Sequence, residues 1–269
     1  VRRLLVAAAV LALGLPAHGA SLQIVRREAA SSCTATGITF WWRAENSTTL
    51  DASLDYTAGD NAANTNGSPS FDLSAAKNGS YGVLIDASSE RYVFQPVSND
   101  IISGSSGRMG AWVKCVSTYP SNGTTGPTVL QERSTDTNNP RVEINFHGNT
   151  TTTRKFRGAF YDGTNTVEVV GADNSISCGT WYFVELAWDA SQTSGADQLY
   201  LYVDGTLVDS DTAATLTPFT ANGTPSSTGF HVGDRSGIIV GSGYYIDHII
   251  VSSDKTKSLY DCANTASYP

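Results

Sequence analysis

Beyond residue 32 the chain alternates short apolar and aromatic runs with clusters of Gly, Asn, Asp, Ser and Thr. The runs GITFWWRA, YGVLIDA, RYVFQPV, RMGAWVKCV, PTVLQER, RVEINFHG, KFRGAFYDG, NTVEVVGA, WYFVELAWD, QLYLYVDGTLV, GFHVGDR and YYIDHIIVS are strand-length and rich in β-branched and aromatic residues. Between them, SNGTTGP, ANGTPSSTG and GADNS read as turns and loops. YDGT and VDGT set Asp-Gly where a tight hairpin needs positive φ, which glycine supplies without steric cost. Residues 46–80, rich in Ala, Asn, Asp and Ser, show no clear strand and read as a long ordered loop. Many short strands with few helical periods predict an all-β fold, a two-sheet antiparallel β-sandwich of jelly-roll type.

The first 20 residues break this pattern. VRR is a positive head, LLVAAAVLALGL is an apolar run short for a membrane span, and Pro16 with AHGA offers a cleavage site after Gly19 or Ala20. The expected organisation is a signal peptide over 1–20, a flexible leader over 21–32 and a single sandwich domain over 33–265. No later stretch approaches the ~18 apolar residues a span requires, so no membrane span is expected after signal removal. The expected location is extracellular, either secreted or at the cell surface. The chain carries 17 Lys+Arg against 25 Asp+Glu, a net charge of −8 that grows more acidic once Arg2 and Arg3 leave with the signal. No basic cluster stands out, so nucleic acid is excluded as an expected partner.

The cysteines are Cys33, Cys115, Cys178 and Cys262. In an oxidising compartment they imply two disulfides, with three connectivities open. The expected pairs are Cys33–Cys262, tying the ends of the domain, and Cys115–Cys178, joining two central strands. No pair has the short spacing of a zinc site. The sequons at Asn46, Asn78, Asn122, Asn149 and Asn222 matter in a host that glycosylates them.

Alternation assigns the side chains of RVEINFHG to faces. Val142, Ile144 and Phe146 point to the core, and Arg141, Glu143, Asn145 and His147 point outward. In LYLYV the same reasoning sends Leu199, Leu201 and Val203 inward and leaves Tyr200 and Tyr202 outward. Trp112, Trp181 and Trp188 read as packing, and of the adjacent Trp41 and Trp42 one faces in and one out. Glu143, Glu168 and Glu185 each alternate with apolar neighbours, which allows all three on one face. Their plain role is cross-strand pairing with Arg141, Arg157 or Lys155. Asp247 interrupts an apolar strand and must be hydrogen-bonded or bind a cation.

WYFVELAWD, LYLYVDGTLV, FHVGD and YYIDHIIVS follow one another in the order found in laminin-G-like domains, and GVLIDASSERYVF and GRMGAWVKC fit the front half. The chain resembles the laminin-G-like, concanavalin A-like lectin/glucanase superfamily over residues 38–252. That resemblance implies the jelly-roll sandwich, and it admits hydrolases, lyases, lectins and adhesion modules alike. Glucanases of this type carry their catalytic acids on a strand like 141–148. Aligned with it, the two catalytic Glu positions become Arg141 and Asn145, and only the central acid has a counterpart, Glu143. An amide can neither attack an anomeric carbon nor donate its proton, and two carboxyls are needed. A polysaccharide lyase could instead draw on Gln131, Arg141, Asn145, His147 and Tyr161. The resemblance also implies a structural calcium ion, with Glu45, Asp86 and Asp247 as its ligands.

The function expected is a non-catalytic carbohydrate-binding or surface-adhesion module, with Arg141, Glu143, Asn145, His147, Tyr200 and Tyr202 on one concave contact face. Its partner would be a polysaccharide, another glycan or a cell-surface protein. The rivals are a polysaccharide-degrading enzyme working on that face, and a self-associating coat, adhesin or filament subunit.

Overall fold

The structure is a computed structural model. It describes residues 37–42, 64–66, 68–73, 76–78, 81–87, 90–94, 105–121, 126–133, 140–148, 152–191, 199–211, 216–218, 229–234 and 243–264. All lie within a single compact unit, Ser31–Pro269. The expected signal peptide and leader, Cys33 and Glu45 fall outside the described residues.

The strands form two antiparallel sheets. Sheet A runs β13 (Thr206–Asp211), β12 (Leu199–Val203), β11 (Tyr182–Asp189), β6 (Ser106–Cys115), β15 (Tyr244–Ser252), β4 (Gly82–Ile85) and β3 (Ser70–Asp72), with β1 (Ile38–Trp42) also paired to β15. Sheet B runs β10 (Thr166–Val170), β9 (Lys155–Tyr161), β8 (Arg141–His147), β7 (Thr128–Arg133), β14 (Gly229–Gly233), β5 (Arg91–Phe94) and β2 (Asn64–Asn66). The fold is thus the expected two-sheet sandwich. The stretch 46–80 departs from its reading as a loop, because Asn64–Asn66 pairs with β5 and Ser70–Asp72 with β4. Strands of this length, poor in β-branched residues, are held by their neighbours' open edges and leave no periodic signal. A short helix, α1 (Tyr260–Ala263), follows the last strand.

The inner faces meet in one core. Val142, Ile144 and Phe146 of β8, Phe156 and Phe160 of β9, Leu186 and Trp188 of β11, and Leu199 and Leu201 of β12 all belong to it. The sheets approach closely at Gly158, where an added Cβ would lie 2.1 Å from Leu186 Cδ1. The VDGT hairpin takes the turn expected of it, with Asp204 at φ 50° and Gly205 at φ 74°. Cys115 and Cys178 are joined by a disulfide that ties the end of β6 to the segment entering β11. Cys262 is also disulfide-bonded.

A second apolar cluster covers the outer side of sheet A. Trp41, Trp112, Phe183 and Ile250 point away from the main core and pack with Leu259, Cys262 and Ala263 of the C-terminal segment. Trp42 lies between the sheets, so the Trp41/Trp42 pair divides as alternation requires, and both rings are buried. The C-terminal segment is bound by polar contacts as well. The Ala263 carbonyl accepts from Trp112 Nε1 at 3.0 Å and Asn78 Nδ2 at 2.9 Å, and lies 3.1 Å from His248 Nδ1. Lys255 pairs with the buried Asp189.

Candidate functional site

The outer side of sheet B carries the charge that the inner side excludes. Register aligns the outward residues in rows. Glu168, Ala159, Glu143, Gln131 and His231 form one row from β10 to β14. Arg157, Asn145 and Thr128 form the next, and Thr166, Tyr161 and Arg141 flank the first on its other side. Arg141, Glu143, Asn145 and His147 are therefore brought to one face, as alternation predicted.

The acids and bases of this face neutralise one another. Glu143 accepts from Arg141 Nε at 3.1 Å, from Arg157 Nη1 at 3.2 Å and from Gln131 Nε2. Arg157 reaches over the small Ala159 to bond Glu168 with Nη2, and its Nη1 also approaches Asn145 Oδ1 at 3.3 Å. Asn145 donates to Thr128 Oγ1 at 3.3 Å. Glu143, Asn145, Arg157 and Gln131 are all buried, so the network draws its partners from within, and among the described residues Gln131 Oε1 has no hydrogen-bond partner. The hydrogen bond from Arg157 is the main cause holding the Glu168 carboxyl below the usual range, against the opposing effect of burial. Burial works against the Arg157 cation, but Glu168 and Glu143 outweigh it and keep its pKa above the ordinary value.

Toward solvent the network ends in two groups with bonding capacity left. The Arg141 side chain is 24% exposed and that of Glu168 45%. Among the described residues, the terminal nitrogens of Arg141 and one oxygen of Glu168 make no hydrogen bond. Tyr161 stands beside them, with the Arg141 guanidinium 5.0 Å from its ring centroid. At the other end of β8, the Tyr119 hydroxyl bonds the backbones of both His147 and Lys155. That clamp fixes the strand positions from which His147 and Lys155 project.

Several expected residues are not on this face. Tyr200 and Tyr202 lie on the outer side of sheet A, where the Arg108 guanidinium stacks 4.4 Å from the Tyr202 ring centroid. The expected single contact face thus divides between two sheets. Alternation says inward or outward within a strand, and leaves open which of two outer sides an outward residue joins. Glu185 is likewise on sheet A, fully buried, accepting from Leu259 N at 2.6 Å and Ser258 Oγ at 3.1 Å. It does not share a face with Glu143 and Glu168. Arg157 pairs with Glu143 and Glu168, as the expected cross-strand pairing had it. His231, which the sequence reading did not include, stands in the same row beside Gln131; its signal is the outward position it takes in an alternating strand.

The residues expected to hold calcium do not fit a shared ion. Ile85, next to Asp86, pairs with Tyr244, whereas Ile246, next to Asp247, pairs with Val83. The two acids are four register positions apart, ~13 Å along the strands, against ligand distances of about 2.5 Å. Asp86 is exposed, and Asp247 is buried with its oxygens accepting from Lys77 N at 2.8 Å, Asn78 N at 3.1 Å and His248 N at 2.7 Å. Backbone amides thus occupy the carboxylate that an ion would need.

Comparison with known proteins bears on the fold. Residues 109–237 match a laminin-G family model described as concanavalin A-like lectin/glucanases superfamily. The receptor binding domain of botulinum neurotoxin D is similar at a TM-score of 0.60 and 13% identity, covering 84% of this chain and 51% of its own. The chain therefore spans about half the length of that neurotoxin domain. Domain 4 of an extracellular arabinanase from Geobacillus stearothermophilus, solved with arabinotriose, is similar at 0.52 and 16% identity, covering 85% of this chain and 98% of its own. A Trypanosoma rangeli sialidase mutant displaying trans-sialidase activity is similar at 0.52 and 14% identity, covering 84% and 32%. No curated protein matches by sequence. The family match over residues 109–237 and the two antiparallel sheets agree on one fold, a jelly-roll sandwich of the concanavalin A-like kind.

Proposed function

We propose that this chain is an exported carbohydrate-binding domain that holds a neutral glycan across the outer face of sheet B. The observation that carries this reading is the charge-balanced network ending in Arg141 and Glu168 on either side of Tyr161. A pyranose offers hydroxyls that both donate and accept, together with an apolar face. Arg141 supplies fixed donors, Glu168 a fixed acceptor and Tyr161 an aromatic side chain for that face. Because Glu143 and Arg157 are locked to each other, the contact groups are pre-organised, which lowers the ordering cost of binding. The arabinanase domain similar to it in fold was solved in complex with arabinotriose, which supports this reading. The disulfide suits export to an oxidising compartment.

Native gels cast with neutral polysaccharides test the reading. The protein should be retarded by at least one without degrading it. Arg141→Ala and Glu168→Gln should each weaken retardation by about 10-fold or more, the worth of a hydrogen bond to a charged group. Unchanged migration of both variants beside a retarded wild type would remove this face as the site.

One observation favours a second reading. Gln131, Arg141, Asn145, His147 and Tyr161, the residue types a lyase uses, all stand on this face. A lyase would clear the track of a uronate polymer and release unsaturated ends absorbing in the ultraviolet, and His147→Ala would abolish that while leaving retardation.

A further inference from the structure

At the margin of the apolar cluster on the outer side of sheet A, where Trp181 packs against it, stands a group of three side chains that the network on sheet B does not involve. Tyr245 of β15 pairs directly with Lys114 of β6, and Trp181 immediately precedes Tyr182, whose partner is Val113. The Lys114 ammonium lies 4.8 Å from the ring centroid of Trp181 and 4.8 Å from that of Tyr245. The rings are 6.5 Å apart and inclined by 36°. The three side chains thus form one cluster, with the ammonium against both rings.

Several features set this cluster apart from the fold's other tryptophans and cations. Trp181 is partly buried, whereas Trp41, Trp42, Trp112 and Trp188 are exposed by 6% or less. Lys114 makes no hydrogen bond or ion pair among the described residues, in contrast to Arg108, Arg141, Lys155, Arg157 and Lys255, which all have carboxylate partners. Burial lowers the Lys114 pKa, and the charge of Asp72 opposes it. The cluster is also tied to the fold. The Cys115–Cys178 disulfide and the bond from Gly179 N to Cys115 O at 2.9 Å fix the segment carrying Trp181 against the residue next to Lys114.

We infer that Trp181, Tyr245 and Lys114 form a second saccharide site, selective for an anionic pyranose, with the sugar ring against the two aromatic side chains and its acidic group on the Lys114 ammonium. A sugar's C–H face suits the part of the indole left exposed, and a carboxylate or sulfate supplies the ion-pair partner that this lysine does not have among the described residues. Sheet B, whose charges are mutually compensated, has no such preference, so the two sites divide neutral from acidic glycans.

The test uses native gels cast with polygalacturonate, with carrageenan as a sulfated polymer lacking uronate, and with arabinan as a neutral control. Wild type should be retarded by an acidic polymer, and the two acidic gels tell carboxylate from sulfate. Lys114→Met should weaken that retardation by about 10-fold or more, the value of a charge-assisted contact. Lys114→Arg should keep it, and Trp181→Ala should reduce it by a similar factor. Lys114→Met should leave Tm unchanged or raised, since it removes a desolvated cation, and a merely structural lysine would lower it. Arg141→Ala should leave acidic-polymer retardation intact, which separates this site from the one on sheet B. Absence of retardation in both acidic gels, retardation insensitive to Lys114→Met, or retardation that follows Arg141 instead would each overturn the inference.

Discussion

The outer sides of the two sheets come from strands with the same inward–outward alternation, yet they bury charge in different ways. On sheet A, Asp247 accepts from the backbone amides of Lys77, Asn78 and the adjacent His248, and Glu185 accepts from the Leu259 amide and the Ser258 hydroxyl of the covering segment, with Arg108 3.8 Å away. Apolar side chains of the C-terminal segment complete that cover. On sheet B, Glu143 and Glu168 are held by the side chains of Arg141, Arg157 and Gln131 on neighbouring strands. A carboxylate held by amides anchors chain, whereas one held by arginine on an open lip keeps donors and acceptors available to a ligand. The difference teaches that a buried acid on a β-sandwich face is read through its donors, not through its burial.

The comparison breaks most sharply at Asp247. Asp247→Ala strands buried amides and should cost about 3–5 kcal/mol in urea unfolding. A loss under about 1 kcal/mol would mean that the covering segments find other partners. Glu143→Ala should cost less, about 2–3 kcal/mol, because Arg157 keeps Glu168 after the change. It should also weaken glycan retardation by loosening Arg141, which Asp247→Ala should not do in the fraction that remains folded.

The smallest effect is in pH dependence, and there the two faces have opposite signs. Arg157 holds the folded pKa of Glu168 below its ordinary value of 4.5, so its contribution is present above that pH and is lost as pH falls through the folded value. Burial, opposed by Arg108 and the Leu259 amide, holds Glu185 above its ordinary value of 4.5, so its contribution is present below that pH and is lost as pH rises through the folded value. Glu185→Gln should therefore flatten the decline in stability on the neutral side of pH 4.5, and Glu168→Gln should flatten the acid limb below it. If the two variants shift stability in the same pH window, the contrast between the faces fails.

Much of the fold was legible because its signals are local. The alternation in RVEINFH assigned Val142, Ile144 and Phe146 to the core, and the structure places them there. VDGT announced its hairpin, since Asp-Gly tolerates the positive φ that the turn requires. The polar set of β8 was likewise legible as a set. What stayed hidden depended on contacts between distant segments. Nothing in Asn64–Asn66 marks it as a strand, because it is β5 that gives it a partner. Nothing in LYLYV says that its tyrosines lie on the opposite side of the molecule from RVEINFHG.

By itself, then, the sequence determined which residues face inward, where several strands turn and that the chain builds a sandwich. These follow from a period of two and from local backbone sterics, which each short segment carries alone. Only the tertiary structure decided that Arg157 joins Glu143 to Glu168, that Asp247 is taken up by backbone amides, and that Lys114 sits between Trp181 and Tyr245. Those outcomes depend on which strands become neighbours, and strand order is set by the burial of the whole core rather than by any one stretch of chain.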